Sequence, residues 1–532
     1  MMRKVQKLHT ALDDLHRMIK VFSLRSQGWT VLVILAFTVA LAGCSGSSSS
    51  SSSTGTQPGN PAGANLTQVS SDPYTIGPGQ HATEVEPHML ANGSTLVAAF
   101  QTGRIVPGGG TDIGWATSTD GGTTWTHGFL PGLTTGEGSG PYDAASDPAV
   151  AYDAKHGVWM IASLPISNAG QTPAVVVSRS TDGVTWQNPV SADPTAESSD
   201  KNWIVCDSWP NSPHYGNCYL EWDDPFNSDE ILMSTSSDGG LTWGAATPTA
   251  SLADGIGGQP LVQPGGRVVV PIESTMTSAV VAFSSSDGGA TWSAPIMIAT
   301  IQFHADAGGI RSGPLPSAAV DGAGTIWVVW EDCRFRAACS TNDLVYSTSA
   351  DGVIWSPVTR IPIDDISSTV DHFIPGIGID PATSAASAHV GLHYYYYSQS
   401  SCDVSTCQLF VGYISSANGG STWNAPATLT AAAMQLGWLP NSQNGLMVGD
   451  YIATVFTNGV PHGVFAVAQA NSGATFNEAI YTAQGLTAAA AGRQLSSAND
   501  KPLHKLSDKI EQEVPEKGVK PPLRRRAKRS AK

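Results

Sequence analysis

Glu86, His88, Asp147, Asp200, Lys201, Asp371, His372 and Asp450 stand at the heads of short apolar runs spread along this chain. Carboxylates gathered into a ring can give and take protons at a neutral sugar, one as acid and another as base. That chemistry needs no cofactor, yet the same hard oxygens suit a divalent cation such as Ca2+. The plainer role for each acid is to cap a turn or to bond a neighbouring backbone. Further acids, Glu221, Glu273 and Glu331, lie inside apolar runs. Arginine is scarce: residues 73–490 hold only Arg104, Arg179, Arg267, Arg311, Arg334, Arg336 and Arg360.

The elements that must position these groups are repeats. Six hairpins follow one pattern: Ser118-Thr-Asp120-Gly-Gly-Thr-Thr-Trp125, Ser180-Thr-Asp182-Gly-Val-Thr-Trp186, Ser236-Ser-Asp238-Gly-Gly-Leu-Thr-Trp243, Ser285-Ser-Asp287-Gly-Gly-Ala-Thr-Trp292, Ser349-Ala-Asp351-Gly-Val-Ile-Trp355 and Ser416-Ala-Asn418-Gly-Gly-Ser-Thr-Trp423. A worn seventh copy runs from Asn471 to Phe476. An Asp-Gly pair makes a tight turn, because the carboxylate accepts backbone N–H groups ahead of it and Gly takes positive φ freely. The Trp then fills the gap between neighbouring sheets. Because the aspartates Asp120, Asp182, Asp238, Asp287 and Asp351, with Asn418, recur in every repeat, they read as fold staples rather than as chemistry.

Repeats about 50–70 residues long fit four strands and their loops, the size of a propeller blade. The expected fold is therefore all-β, a β-propeller of six to seven four-stranded blades, with seven favoured. First strands are expected to open near Glu86, Asp147, Asp200, Gln259, Gly313, Asp371 and Asp450. In a propeller such strands line the central channel, and their heads meet at one face. Tyr394 to Tyr397 reads as a strand with alternate rings in the core, the outward ones able to stack on sugars.

These hairpins resemble the Asp-box, or BNR repeat, of the sialidase-like superfamily, over about residues 73–490. Asp200 to Asp207, Tyr215 to Trp222 and Gly449-Asp450-Tyr451 are similar to bacterial secreted proteins of that group. The resemblance implies, for an exo-sialidase, three arginines clamping the substrate carboxylate, a Tyr nucleophile activated by Glu, and an Asp acid/base. The family's Arg-Ile-Pro signature is approximated by Arg104-Ile-Val-Pro107, with one residue inserted, and matched at Arg360-Ile-Pro362. The catalytic candidates are thus Asp147, Asp200, Asp371, Glu331, Arg104, Arg311 and Arg334, with Glu86, His88, Lys201, His372 and Asp450 in binding roles. Arg267, Arg336, Glu221 and Glu273 are further candidates.

Residues 1–44 read as a targeting segment: basic residues end at Arg25, an uncharged run spans 28–43, and Leu41-Ala-Gly-Cys44 resembles a bacterial lipobox with Cys44 as the lipidated residue. Met18 is an alternative start. The apolar run is short of the ~20 residues a spanning helix needs. Residues 45–72 read as a Ser/Gly-rich tether, 73–490 as the propeller and 491–532 as a disordered basic tail. The remaining cysteines form close pairs, Cys206 with Cys218, Cys333 with Cys339 and Cys402 with Cys407, expected as disulfides of an exported protein.

Charge is polarised. Six Lys/Arg precede Cys44 and eleven follow from Lys501, so the body between them is strongly acidic within a net charge of −16. Such a field repels nucleic acid. The expectation is an extracytoplasmic, lipid-anchored monomer: a cell-surface sialidase-like glycoside hydrolase acting on glycans at the propeller mouth. The alternative is a non-catalytic propeller that binds glycan or protein there.

Overall fold

The computed structural model describes residues 64–136, 140–167, 171–193, 198–489 and 494–503. Cys44, most of the tether and the chain beyond residue 503 lie outside the described residues. Those described are all-β, with no α-helix among them and only five short 3-10 turns. No helix among them is long and apolar enough to cross a membrane.

The strands build antiparallel sheets of four in chain order. The first comprises Gln80–Asn92, Thr95–Arg104, Gly110–Ser118 and Thr126–Phe129; the second comprises Ala144–Asp153, Val158–Ile166, Val175–Ser180 and Val190–Asp193. One pair, Gly110 with Ala145, links the two. A third sheet starts at Asp200–Cys206, a fourth at Leu261–Val262, a fifth at Ser317–Val320 and a sixth at Asp371–Ile379. The last sheet opens with Ala453–Thr457 and Val460–Ala468. Its outermost strand, however, is Leu66–Gln68, paired with Glu478–Ala483. The body therefore begins within the stretch expected to be tether.

Each opening strand lies beside the next, and Ala453–Thr457 lies beside both Asp371–Ile379 and Gln80–Asn92. Together they line one cavity of about 420 Å3, walled by Val150, Trp203, Leu261, Ala318, Ile377 and Ile452 among others. Middle strands such as Ile326–Asp332 are buried throughout, because neighbouring sheets cover both of their faces. The same reason corrects the reading of the tyrosine run. Tyr394, Tyr395 and Tyr397 are all buried and only Tyr396, whose hydroxyl lies 2.6 Å from Thr428 Oγ1, is half-buried, so the rings do not alternate between core and surface.

The repeated hairpin sits between the third and fourth strands of its sheet and has one internal wiring. In the second sheet Ser180 Oγ donates to Asp182 (2.9 Å) and accepts from Gly183 N (2.9 Å), while Asp182 accepts from Val184 N (2.8 Å) and Thr185 N (2.6 Å). These donors hold the Asp120, Asp182 and Asp287 carboxyls down to about 2. Asn418 substitutes, accepting from Thr422 N at 2.9 Å.

The hairpin glycine does more than turn the chain. A Cβ on Gly183 would lie 2.9 Å from Val97, on Gly240 2.7 Å from Met160, on Gly352 2.5 Å from Val269 and on Gly420 2.9 Å from Trp327, each a side chain of the preceding sheet. Gly122, in the first sheet, meets His462 of the last at 2.9 Å. The hairpin tryptophans reach the same way, Trp186 to Trp115 (6.5 Å between ring centroids), Trp292 to Tyr219 (6.2 Å) and Trp423 to Tyr346 (6.3 Å).

All three expected disulfides are formed, Cys206–Cys218, Cys333–Cys339 and Cys402–Cys407. Residues 494–503, expected to be disordered, instead pack on the body: Leu495 pairs with Trp423, Asp500 meets Arg360 at 3.3 Å and Leu503 N donates to Arg334 O at 2.8 Å.

Candidate functional site

Four opening strands carry the same defect; in one, between Phe373 and Gly376, it holds the apolar Ile374 at φ 48° ahead of Pro375, and in the other three it holds charge. In those three the register shifts occur between Val85 and His88, Ser146 and Ala149, and Asp200 and Trp203. Inside them Glu86, Asp147 and Lys201 take φ of 54°, 49° and 46°. Pro87 and Pro148 follow two of these residues; lacking an N–H, each interrupts the ladder where the bulge forms. A side chain held in the left-handed region costs energy, and such strain is typical of sites that must aim a group.

What is aimed here is charge. Lys201 Nζ contacts Asp450, and lies 3.5 Å from Glu86 and 3.9 Å from Asp147. Arg311 clasps the same Asp450 with both ends of its guanidinium, Nε donating at 2.7 Å. Gln101 donates to Glu86 and to Ser146 (3.1 Å), and Arg104 donates to Gln101 (3.2 Å) and Gly109 O (2.6 Å). Gly449 is obligatory beside them, because a Cβ there would sit 2.7 Å from Glu86 N.

Burial opposes every charge in this group. For Asp450 and Asp147, Lys201 outweighs it and holds both carboxyls below their ordinary range, with Arg311 helping at Asp450. Burial wins at Glu86, which is pushed well up. Lys201 is raised, since Asp147, Asp450 and Glu86 more than offset its own burial.

A second group of acids has almost no cation. Asp306 and Asp371 meet at Asn342, whose Nδ2 donates to Asp306 at 3.3 Å, and each acts on the other's carboxyl. Asp371 accepts from Asn342 N at 2.6 Å, and His304 Nε2 stands 3.7 Å away. Burial lifts Asp371 to about 6 and Asp306 well above its usual range. Glu331, fully buried, is raised by burial and by both of them, and burial brings Glu273 to about 7. On the third sheet Asp200 faces Asp223 directly across the ladder. Burial and then Asp147 raise Asp200 to about 6, and burial with Asp200 raises Asp223 further above its own range.

The structure thus brings together Glu86, Asp147, Lys201, Asp450, Arg104 and Arg311, and separately Asp371 with Glu331. It does not add Arg334, which is spent on Asp332 (2.7 Å) at the Cys333–Cys339 loop. Arg336 and Arg360 are buried on Asp343 (2.5 and 2.8 Å) and share Asp364 (2.6 Å each). Arg267 reaches only Ser284 at 3.5 Å. No third arginine joins Arg104 and Arg311 among the described residues. His88 accepts from Val150 N at 2.8 Å and packs on Trp203; burial lowers it to about 3, so it is a neutral splint between strands.

His372 turns to the opposite side of its strand from Asp371, toward Asp364. Asp343, Asp364 and His372 offer ligand atoms within 4.8 Å of one another. A calcium ion does not fit there, because the Arg336 and Arg360 guanidiniums already lie on both carboxylates. Asp306, Asn342 and Asp223 escaped sequence reasoning, since none heads an apolar run. Asp223 was findable from the period of its strand, which places it two residues from Glu221 on the same face.

A family model for the BNR repeat-like domain matches residues 94–359, half of the chain. No curated protein matches it in sequence. Among solved structures it is similar to a Hadza microbial sialidase (14% identity, 76% of this chain and 66% of that one, TM-score 0.42). It is also similar to a protein of unknown function from Dyadobacter fermentans (15%, 66% and 98%, TM-score 0.43). An ulvan lyase of a polysaccharide lyase family matches as well (11%, 79% and 96%, TM-score 0.47). The chain spans just under two thirds of the first of these. With its six wired hairpins and its four-stranded antiparallel sheets, the chain belongs to the BNR repeat-like family.

Proposed function

We propose that the sheets are the blades of a closed seven-bladed propeller and that the protein is a glycoside hydrolase acting on neutral glycans at the propeller mouth. Closure is supported by the lateral contact of the last opening strand with the first, and by Gly122 against His462. The observation that carries the activity is the Asp306–Asp371 pair. A carboxyl whose pKa is raised by burial and by a second carboxyl is suited to act as general acid for a leaving oxygen. The facing Asp200–Asp223 pair supplies the second carboxyl function that glycoside hydrolysis needs. Arg104 and Arg311 without a third arginine argue for a neutral sugar over a sialoside. Lipidation of Cys44 would hold this body at the outer face of the cell membrane, where the three disulfides are stable.

The test is turnover by the full chain of neutral aryl glycosides and of a sialoside, beside Asp306→Asn and Asp371→Asn. Loss of at least ~100-fold in neutral-glycoside turnover, with the melting temperature retained, is expected of each. Turnover of the sialoside alone would reverse the choice of substrate. No turnover on any of them favours the second reading, a non-catalytic propeller binding glycan or protein, for which the apolar wall of the central cavity speaks.

A further inference from the structure

The basic end of the chain is used by none of the chemistry above, and the structure shows where it leaves the body. Residues 494–503 climb from the sixth hairpin, where Gln494 Nε2 donates to Asn424 at 2.8 Å, past Arg360 to Arg334. Arg334 donates to Thr300 O and the adjacent Cys333 N donates to Gln302 O (2.7 Å), so only Arg334 stands between Leu503 and the segment that runs from Thr300 to His304 and Asp306. The chain therefore departs at the acidic mouth, not at the far side of the sheets.

That mouth is short of counter-charge. Bridges between Glu230 and Asp254 and between Ile256 and Glu273 place Asp254 and Glu273 together. Asp229 joins them through Thr275 Oγ1, which donates to it at 2.9 Å. Glu273 in turn acts on Glu331, which acts with Asp306 and Asp371. Asp229, Asp254, Glu273 and Asp306 are all partly exposed, and Asp365 beside Arg336 is fully so. The arginines at this face, Arg311, Arg334, Arg336 and Arg360, already lie on carboxylates of their own. Over residues 45–503 there are 37 acids and 11 Lys/Arg, whereas residues 517–532 hold eight Lys/Arg and no acid.

We propose that the Lys/Arg-rich stretch 517–532 docks across the acidic mouth of its own chain, over Asp229, Asp254, Asp306 and Asp365. The 13 residues between Leu503 and Lys517 span up to ~45 Å, several times the ~10 Å spacing of packed sheets, so the stretch reaches any part of the face. Occupying the mouth, it competes with any ligand that enters there, and the competition weakens with salt as exposed charge pairs do. Docking does not depend on the mouth being catalytic.

The test is zero-length carbodiimide coupling of lysine to carboxylate in the full chain, read by peptide mass spectrometry. At low salt Lys520, Lys528 or Lys532 should couple to Asp229, Asp254, Asp306 or Asp365. The yield should fall at least ~5-fold at 0.5 M NaCl and in an Arg524→Glu/Arg525→Glu/Arg526→Glu variant. Coupling instead to Asp120, Asp238 or Asp287 in the hairpins, or none at all, overturns the proposal. So does a yield indifferent to both salt and charge reversal. Phosphatidylglycerol vesicles provide a second arm: association that needs 517–532, with no mouth coupling in their absence, would assign the stretch to the membrane and overturn docking.

Discussion

Lys201 and Asp450, 249 positions apart in sequence, meet in a buried ammonium–carboxylate contact that ties the third sheet to the last. Arg311, from the loop ahead of the fifth sheet, closes on the same carboxylate. Glu86 and Asp147 bring in the first and second sheets. One cation thus answers to most of the opening strands at once, and bulges in three of those strands aim the groups. Such a knot needs every charge answered, since an ion buried alone costs several kcal/mol.

Lys201→Met should therefore destabilise the protein by about 3–5 kcal/mol, because Asp450, Asp147 and Glu86 lose their shared partner. Adding Asp450→Asn should recover part of that loss. Urea denaturation of the two variants decides; a single-variant loss below ~1 kcal/mol would mean that the contact contributes no pairing.

Two hairpin glycines separate turn from packing. Gly121 and Gly352 have nearly equal φ, 71° and 69°, yet a Cβ on Gly121 meets nothing within 4 Å while one on Gly352 would lie 2.5 Å from Val269. Both alanine variants bear the backbone cost of about 1–2 kcal/mol. Gly352→Ala should lose a further ~1–3 kcal/mol by overpacking against the fourth sheet. Equal losses in thermal or urea unfolding would show that the glycine serves only the turn.

The repeats made the four-stranded sheets legible, because Asp-Gly turns and buried Trp are local devices and their spacing reports one sheet each. The heads of the opening strands were legible too: Glu86, Asp147, Lys201 and Asp450 converge as their shared position suggested. What could not be read was which arginine pairs with which acid. Arg334 and Arg336 are two residues apart, yet Arg334 turns to Asp332 while Arg336 crosses to Asp343 and Asp364. Asp306 was invisible for a similar reason, since its partner Asp371 lies on a different sheet. The strand Leu66–Gln68 is too short to carry a period and is fixed only by its pairing with Glu478–Ala483.

Chelation probes the Asp343–Asp364–His372 group. With Arg336 and Arg360 already on the carboxylates, EDTA should leave the melting temperature within ~1 °C, and added Ca2+ should not raise it. A fall of several degrees on chelation, restored by Ca2+, would place a cation in the body and force those arginines aside. Arg336→Ala, by contrast, should cost about 3–5 kcal/mol, as it uncovers two acids below the surface.

Stability should also depend on pH in a direction set by the raised carboxyls. Burial lifts Asp200 and Asp371 to about 6, Glu273 to about 7 and Glu84 to about 8. An acid raised in the folded state contributes fully below its unfolded value, and that contribution is lost as pH climbs through the folded value. Asp450 and Asp147 are lowered, so theirs is lost only as pH falls below the ordinary carboxylate range. The melting temperature should accordingly peak near pH 5 and decline through pH 6–8. Glu84 receives Ser70 Oγ, and that hydroxyl also accepts Ile480 N at 2.8 Å beside the strand Leu66–Gln68. Ionising Glu84 next to buried Glu478 should loosen this edge first, with amide protection factors at residues 66–70 falling above pH 8. Glu84→Gln should hold those protection factors constant from pH 7 to 9 and flatten the alkaline limb of the melting curve. A melting temperature that rises from pH 5 to 8, or a Glu84→Gln profile parallel to the parent's, would refute this account of the buried acids.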